Sequence, residues 1–181
     1  VFLVTRHTDE VYSRNTYDFG AALPAADTPT KEGHTFSGWD RETPATMPAE
    51  DITISGSFTP NKYDATFYKD GVLFATVPTD FGQVPVAPPA SKIGYTFTGW
   101  DPAVGTMGSA DMTFNAKFEA KTYNVTFMNG DVQHDANTVK YDGAYTLPAA
   151  PTKAGSTFVG WVDADGNAMP ATHTTDGDVT F

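Results

Sequence analysis

The side chains best suited to recognition chemistry are three tryptophans that close one repeated pentapeptide. The copies are Thr35-Phe36-Ser37-Gly38-Trp39, Thr96-Phe97-Thr98-Gly99-Trp100 and Thr157-Phe158-Val159-Gly160-Trp161. An indole on a strand offers a flat apolar face and one N–H donor, which suits a sugar ring or a protein partner. Trp39, Trp100 and Trp161 are therefore the candidate binding residues. Strict alternation puts Phe97 and Trp100, three residues apart, on opposite faces of a strand. A β-bulge at Gly99 would instead turn Trp100 back toward the core, and glycine inside a strand is a common sign of a bulge. The core reading is preferred, because a module of about 60 residues needs its largest side chains to build a core at all.

Other candidate chemistries are weaker. Asp163-Ala164-Asp165-Gly166-Asn167 alternates oxygen-bearing side chains like a calcium loop. Its glycine comes fourth rather than sixth and no distal glutamate follows, so a tight turn is the better reading and no metal is expected. His7, His34, His134 and His173 occupy unrelated places and suggest no ligand cluster. No Gly-x-Ser-x-Gly turn supports a nucleophilic serine, and no phosphate-cradling glycine motif is present. Lys31, Lys92 and Lys153 recur. An isopeptide link to a neighbouring Asn or Asp is conceivable for them, but their turn setting suits an exposed lysine better. With no cysteine, thiolate chemistry and disulfides are excluded. No catalytic residue and no cofactor are expected.

The elements that position these residues follow from an internal repeat, which overrides any domain count from length. The tryptophans recur every 61 residues. Lys31-x-Gly33, Lys92-x-Gly94 and Lys153-x-Gly155 precede the pentapeptide, and Met47, Met107 and Met169 follow it. Phe19-Gly20, Phe81-Gly82 and Asp142-Gly143 lie further upstream. Three modules are expected, over residues 1–60, 61–120 and 121–181, the third ending within its last strand so that the chain reads as part of a longer array. Ile52, Ile54, Gly56 and Phe58 alternate as in a half-buried closing strand, and Met112, Phe114, Ala116 and Phe118 do likewise. Tyr63, Ala65 and Phe67 alternate in an opening strand, and the dipeptides Asp70-Gly71 and Asn129-Gly130 predict hairpins. Proline or glycine interrupts nearly every window long enough for a helix, leaving at most one short helical turn per module, best placed at Pro29–Gly33.

The order Tyr-x-Val-Thr-Phe at Tyr123–Phe127, a hairpin dipeptide, Pro-Thr-Lys-x-Gly-x-Thr-Phe-x-Gly-Trp at Pro151–Trp161, then Met-Pro-Ala at Met169–Ala171 resembles the B-repeat of internalin-type proteins, the Listeria-Bacteroides repeat. The likeness covers all three modules. The second departs at Ala90-Ser91-Lys92 and at Met107-Gly108-Ser109, and the first has a divergent opening strand. The resemblance implies small β-grasp, ubiquitin-like modules, used in multiples on secreted and wall-attached bacterial proteins, mostly as spacers and in some members for partner binding.

The fold expectation is thus a mostly β tandem array of such modules, elongated because the joints Thr59-Pro60-Asn61 and Ala120-Lys121-Thr122 leave little slack. Twenty-two acidic against 11 basic residues give a net charge of -11, which disfavours nucleic acid and anionic lipid as partners. No run is long and apolar enough to span a bilayer, so any export signal or anchor is expected outside this segment. The expected role is a non-enzymatic stalk of a bacterial surface or secreted protein, monomeric in solution. The alternative is an adhesive module for a host or extracellular protein or glycan, acting through an aromatic face or an open sheet edge.

Overall fold

The computed structural model describes residues 1–7 and 10–181, with the Phe2 side chain left aside. Eleven strands and no helix are found among the described residues. The first module holds β1 (Phe2–His7), β2 (Glu10–Thr16), β3 (His34–Trp39) and β4 (Ile52–Pro60). The second holds β5 (Lys62–Lys69), β6 (Val72–Asp80), β7 (Tyr95–Asp101) and β8 (Met112–Ala120), and the third β9 (Thr122–Asn129), β10 (Val132–Lys140) and the short β11 (Val179–Thr180). They form three sheets in tandem, ordered β2-β1-β4-β3, β6-β5-β8-β7 and β10-β9-β11. Packing divides the chain into two units. One is Val1–Tyr68, Leu73–Ala87 and Val104–Phe114; the other is Lys69–Val72, Pro88–Ala103 and Asn115–Phe181. The division runs through the second module, so each joint between modules lies inside a single unit.

Within the first sheet the two outer pairs are antiparallel and the central pair, β1 with β4, is parallel, Leu3 lying opposite Ile52. In the three-stranded third sheet β10 and β9 are antiparallel and β9 and β11 parallel, with Val125 opposite Val179. A parallel pair needs a long crossover. In the first sheet the chain between the two partners carries β2, a long irregular stretch and β3, and the helical turn expected at Pro29–Gly33 is absent. Its place is taken by a two-residue turn at Glu32 and Gly33 closed by His34 N–H to Lys31 O at 3.1 Å. Gly33 takes φ +66, so the chain reverses at once instead of completing a helical turn. Just before the closing strands, Asp111 and Asp178 accept the backbone N–H of Asp64 and Asn124, at 2.8 and 2.7 Å.

The hairpins form as composition predicts, with one shift. Asp70 and Gly71 both have positive φ, the demand of a type I′ turn. In the third module Asn129 still belongs to β9 and pairs with Val132, so the turn residues are Gly130 and Asp131.

The cores are built from the inward positions of the central strands. Leu3, Met47, Ile52 and Ile54 are buried in the first module, with Tyr17, Leu23 and Trp39 packed against them. In the second, Phe67 and Phe114 are fully buried and stacked at 5.0 Å. Val125, Phe127, Val139, Trp161 and Phe181 form the third core. Residues 157–161 of the third module form no strand, whereas their counterparts in β3 and β7 pair with the second halves of β4 and β8.

One repeat assignment changes. Gly20 N–H bonds Met47 O and Met47 N–H bonds Ala21 O; Gly82, Met107 and Gln83 repeat the pattern. In the third module Asp142 N–H bonds His173 O, and His173 N–H bonds Gly143 O. The structural counterpart of Met47 and Met107 is therefore His173, not Met169. The turn Asp163–Asn167, bracketed by the Val162–Ala168 bridge, adds the residues that displace it. By the same pairing the counterpart of Phe19 and Phe81 is Tyr141, and Asp142 stands where the others have glycine.

Candidate functional site

Trp39 and Trp100 sit one residue after a bulge, and Trp161 follows a glycine of likewise positive φ in a segment that forms no strand. Pairing of β3 with β4 shifts register between Phe36 and Gly38, and that of β7 with β8 between Phe97 and Gly99. Gly38, Gly99 and Gly160 have φ of 116, 130 and 147, outside the range that side chains tolerate well. The extra residue brings Phe and Trp to the same side, with ring centroids 5.0, 5.4 and 5.1 Å apart in the three modules. Trp100 and Trp161 keep 9% of their surface exposed and Trp39 is half-buried. Gly56 makes room in the first module, since a Cβ there would meet the Phe36 and Trp39 rings at 2.7 and 2.9 Å. Trp39 ends β3, Trp100 lies in β7, and Trp161 packs into the third core from a segment that forms no strand.

The remaining candidates are engaged locally. The Asp163 carboxylate accepts the N–H of Asp165 and Asn167 through one oxygen and the Asn167 amide through the other. These bonds, the Asn167 side chain foremost, hold its carboxyl below the usual range. His7 and His34 edge against Phe58, His134 bonds the Ala149 carbonyl, and His173 is fully buried with Nδ1 3.0 Å from the Tyr145 hydroxyl.

What does recur as a constructed site is the joint between modules, which the sequence pattern did not reveal. At the first joint Asn61 donates its N–H to Gly33 O and accepts the N–H of Phe81, both at 2.8 Å. At the second, Lys121 does the same between Gly94 O and Tyr141 N–H, both at 2.9 Å. The turn glycine lies against the aromatic ring. A Cβ on Gly33 would stand 2.2 Å from the Phe81 ring, and one on Gly94 2.1 Å from Tyr141. No real Cβ fits at such a distance, so glycine is required here by contact as well as by its positive φ.

Side chains stitch the two joints differently. At the first, Ser109 Oγ donates to Glu32 at 3.1 Å, Thr35 Oγ1 to Asn61 at 2.6 Å, and His34 meets Phe81 edge-on at 5.4 Å. At the second, the Tyr95 hydroxyl donates to Asp142 at 2.9 Å, Lys121 pairs with Asp176 at 3.0 Å, and the Tyr123 hydroxyl donates to Asp176. Lys92 pairs with Asp70 at 2.8 Å and lies over the Tyr95 ring. These bonds hold the Asp176 carboxyl below the usual range, chiefly through Tyr123 and then Lys121. They push Lys121 up through Asp176, Lys92 up through Asp70, and Tyr95 up through Asp142. Residues from both modules line an open cleft of about 790 Å³ that includes Lys92, Tyr95, Lys121, Tyr141, Asp142 and Asp176.

Small mixed β-sheets joined by a repeated glycine–aromatic contact define a tandem β-repeat protein. The profile of the Listeria-Bacteroides repeat domain matches residues 5–59 and 123–181, and the chain belongs to that family. Internalin H of Listeria monocytogenes serovar 1/2a is 41% identical over 132 residues, covering 57% of this chain and 24% of that protein. A protein of Evansella cellulosilytica is 30% identical over 165 residues, covering 80% of this chain and 25% of its own length. The chain thus spans about a quarter of these relatives. Streptococcal High Identity Repeats in Tandem domains 3-4 of a cell surface protein align with 66% of this chain and 95% of theirs, at 20% identity and a TM-score of 0.29.

Proposed function

We propose that the chain is a non-enzymatic spacer in a bacterial cell-surface or secreted protein, holding other parts of that protein away from the cell. The observation that carries this reading is the joint. A flexible linker leaves its backbone solvated, whereas Asn61 and Lys121 are bonded on both sides and Gly33 and Gly94 leave no room for a methyl group. Membership of a family whose relatives include an internalin supports an extracellular location. We read each module as a β-grasp relative in which irregular chain replaces the helix, on the strength of the central parallel pair. Small-angle scattering tests the spacer. A compact globule of this length has a radius of gyration of about 16 Å. The expected value is well above that, and a value near it would contradict the proposal.

The second reading, an adhesive module, has one observation in its favour. β6 is an edge strand, and its Leu73 and Phe74 are 58% and 42% exposed. An edge with apolar side chains suits strand addition by an extended peptide of a host or extracellular protein. Saturable binding of the labelled chain to host cells or matrix proteins, weakened by Leu73→Lys, would establish it. Absence of binding at high micromolar concentration leaves the spacer.

A further inference from the structure

The three tryptophans share one motif but not one setting. Trp161 packs on Phe127 with ring centroids 4.9 Å apart, and Phe127 in turn on Phe181 at 6.1 Å. By strand register the counterparts of Phe127 and Phe181 in the first module are Thr5 and Ile54. Two aromatic rings are thus replaced by smaller side chains, and Trp39 is left half-buried where Trp161 is buried. Its side chain lines an open cleft of about 670 Å³, within the ~300–1,000 Å³ usual for small-ligand sites. The walls are the crossover at residues 23–26 and the loop at 41–45, and they are tied together. Leu23 N–H donates to Ala45 O at 3.1 Å and Ala26 N–H to Thr43 Oγ1 at 3.2 Å. The loop from Trp39 to Met47 is one residue longer than that from Trp100 to Met107, and it carries Arg41 and Glu42 where residues 102–105 of the second module carry no charge. The opening belongs to the repeat and not to its position in the array. In the second module, which has a neighbour on each side, the matching stretch 84–87 stays open to solvent, with Val84 58% and Val86 82% exposed.

We infer that this cleft binds a neutral pyranose unit of a glycan, stacked on the Trp39 indole. The lining divides as such a ligand requires. The indole suits the C–H face of a sugar ring. Beside it stand a guanidinium donor on Arg41, a carboxylate acceptor on Glu42 and the Thr43 hydroxyl, which accepts from Ala26 and keeps its own proton to donate. Neighbouring sugar hydroxyls use donor and acceptor side by side. An anionic ligand would gain from Arg41 but be repelled by Glu42 and by the net charge of -11. A purely apolar segment would strip water from both charges without replacing it. Trp39 Nε1–H is buried with no acceptor among the described residues, the kind of donor that a bound oxygen completes. Because the cleft is open and reaches one face of the sugar, binding is weak. The site is separate from the β6 edge, and it stands whether the array serves as a spacer or grips a peptide.

The test follows the three indole N–H resonances of the 181-residue chain. It is titrated with lactose, chitotriose and cellotriose and, as an anionic comparison, sialyllactose, each to the order of tens of millimolar. Saturable movement of the Trp39 signal with at least one neutral sugar, while Trp100 and Trp161 stay in place, is the expected result. Preference for chitotriose would point to a bacterial wall polymer, preference for lactose to a galactose-ended glycan of another cell. Arg41 and Glu42 are exposed, so Arg41→Ala and Glu42→Gln leave the core intact. Each should weaken binding by roughly tenfold. Trp39→Phe tests the stacking, and if it unfolds the chain the two loop variants decide. No saturable movement with any neutral sugar, equal movement of all three indoles, tighter binding of sialyllactose than of lactose, or affinity unchanged in both loop variants would overturn the inference.

Discussion

The two joints share a backbone and differ in nearly every side chain. Both use a bonded linker residue and a glycine pressed on an aromatic ring. The first then adds hydroxyl bonds, one of them to the Glu32 carboxylate, a histidine edge and a flanking Lys62–Asp80 pair, the second a network of aspartates, lysines and tyrosine hydroxyls that shifts the titration of Asp176, Lys92 and Lys121. The difference teaches that the glycine–ring contact is the constant that orients successive modules, while the surrounding polar groups set how the joint responds to its medium. Asp142 illustrates this. It occupies the left-handed corner where the first two modules have Gly20 and Gly82, a conformation aspartate tolerates better than most, and it uses the substitution to accept a bond from Tyr95.

The largest effect should come from the constant part. Gly33→Ala and Gly94→Ala each combine backbone strain with a clash on the ring. Each should cost about 2 to 4 kcal/mol in urea unfolding of the whole chain. Gly71→Ala, with φ +77 and open space around it, should show only the strain, about 1 to 2 kcal/mol. Equal costs at all three would mean that the rings yield freely and the contact orients nothing.

An intermediate effect should separate the joints by pH. Asp176 has its pKa lowered by folding, so it contributes stability above its unfolded pKa, lost as pH falls through the lower folded one. Lys92 and Lys121 are raised, so their contribution is present below the unfolded lysine pKa and lost as pH climbs through the folded value. Amide exchange at Tyr141, bonded to Lys121 O, should therefore quicken below about pH 4, relative to Phe81 at the first joint. Added salt should act in the same direction, because these pairs are exposed. Parallel behaviour of the two amides would remove the distinction. The smallest effect is expected for Asp142→Gly, which keeps the corner and loses one exposed bond. A change within about 1 kcal/mol is predicted by the same unfolding assay.

Much of each sheet was legible because alternation and turn dipeptides are local signals. The Phe-x-Gly-Trp spacing even carried its bulge, since only an extra residue lets both rings share a side. Three features were not legible, for physical reasons. The Lys-x-Gly segment has helix-cap chemistry, but the left-handed φ of Gly33 reverses the chain before a helical turn closes. Met169-Pro170-Ala171 copies the motif at Met47, yet the Asp163–Asn167 turn inserts residues and puts His173 in the buried place. The joint itself needs Gly33 to meet Phe81, and neither residue signals the other across the intervening strands. Tyr141 was further disguised because Asp142 replaced the glycine that marks the corner elsewhere.

The most direct test of fixed joints is a distance distribution between spin labels at Glu119→Cys and Gln133→Cys, exposed positions on either side of the second joint. One narrow distribution that broadens on Gly94→Ala is the predicted result. A broad distribution in the unsubstituted chain, like that of a solvated linker, would contradict the account.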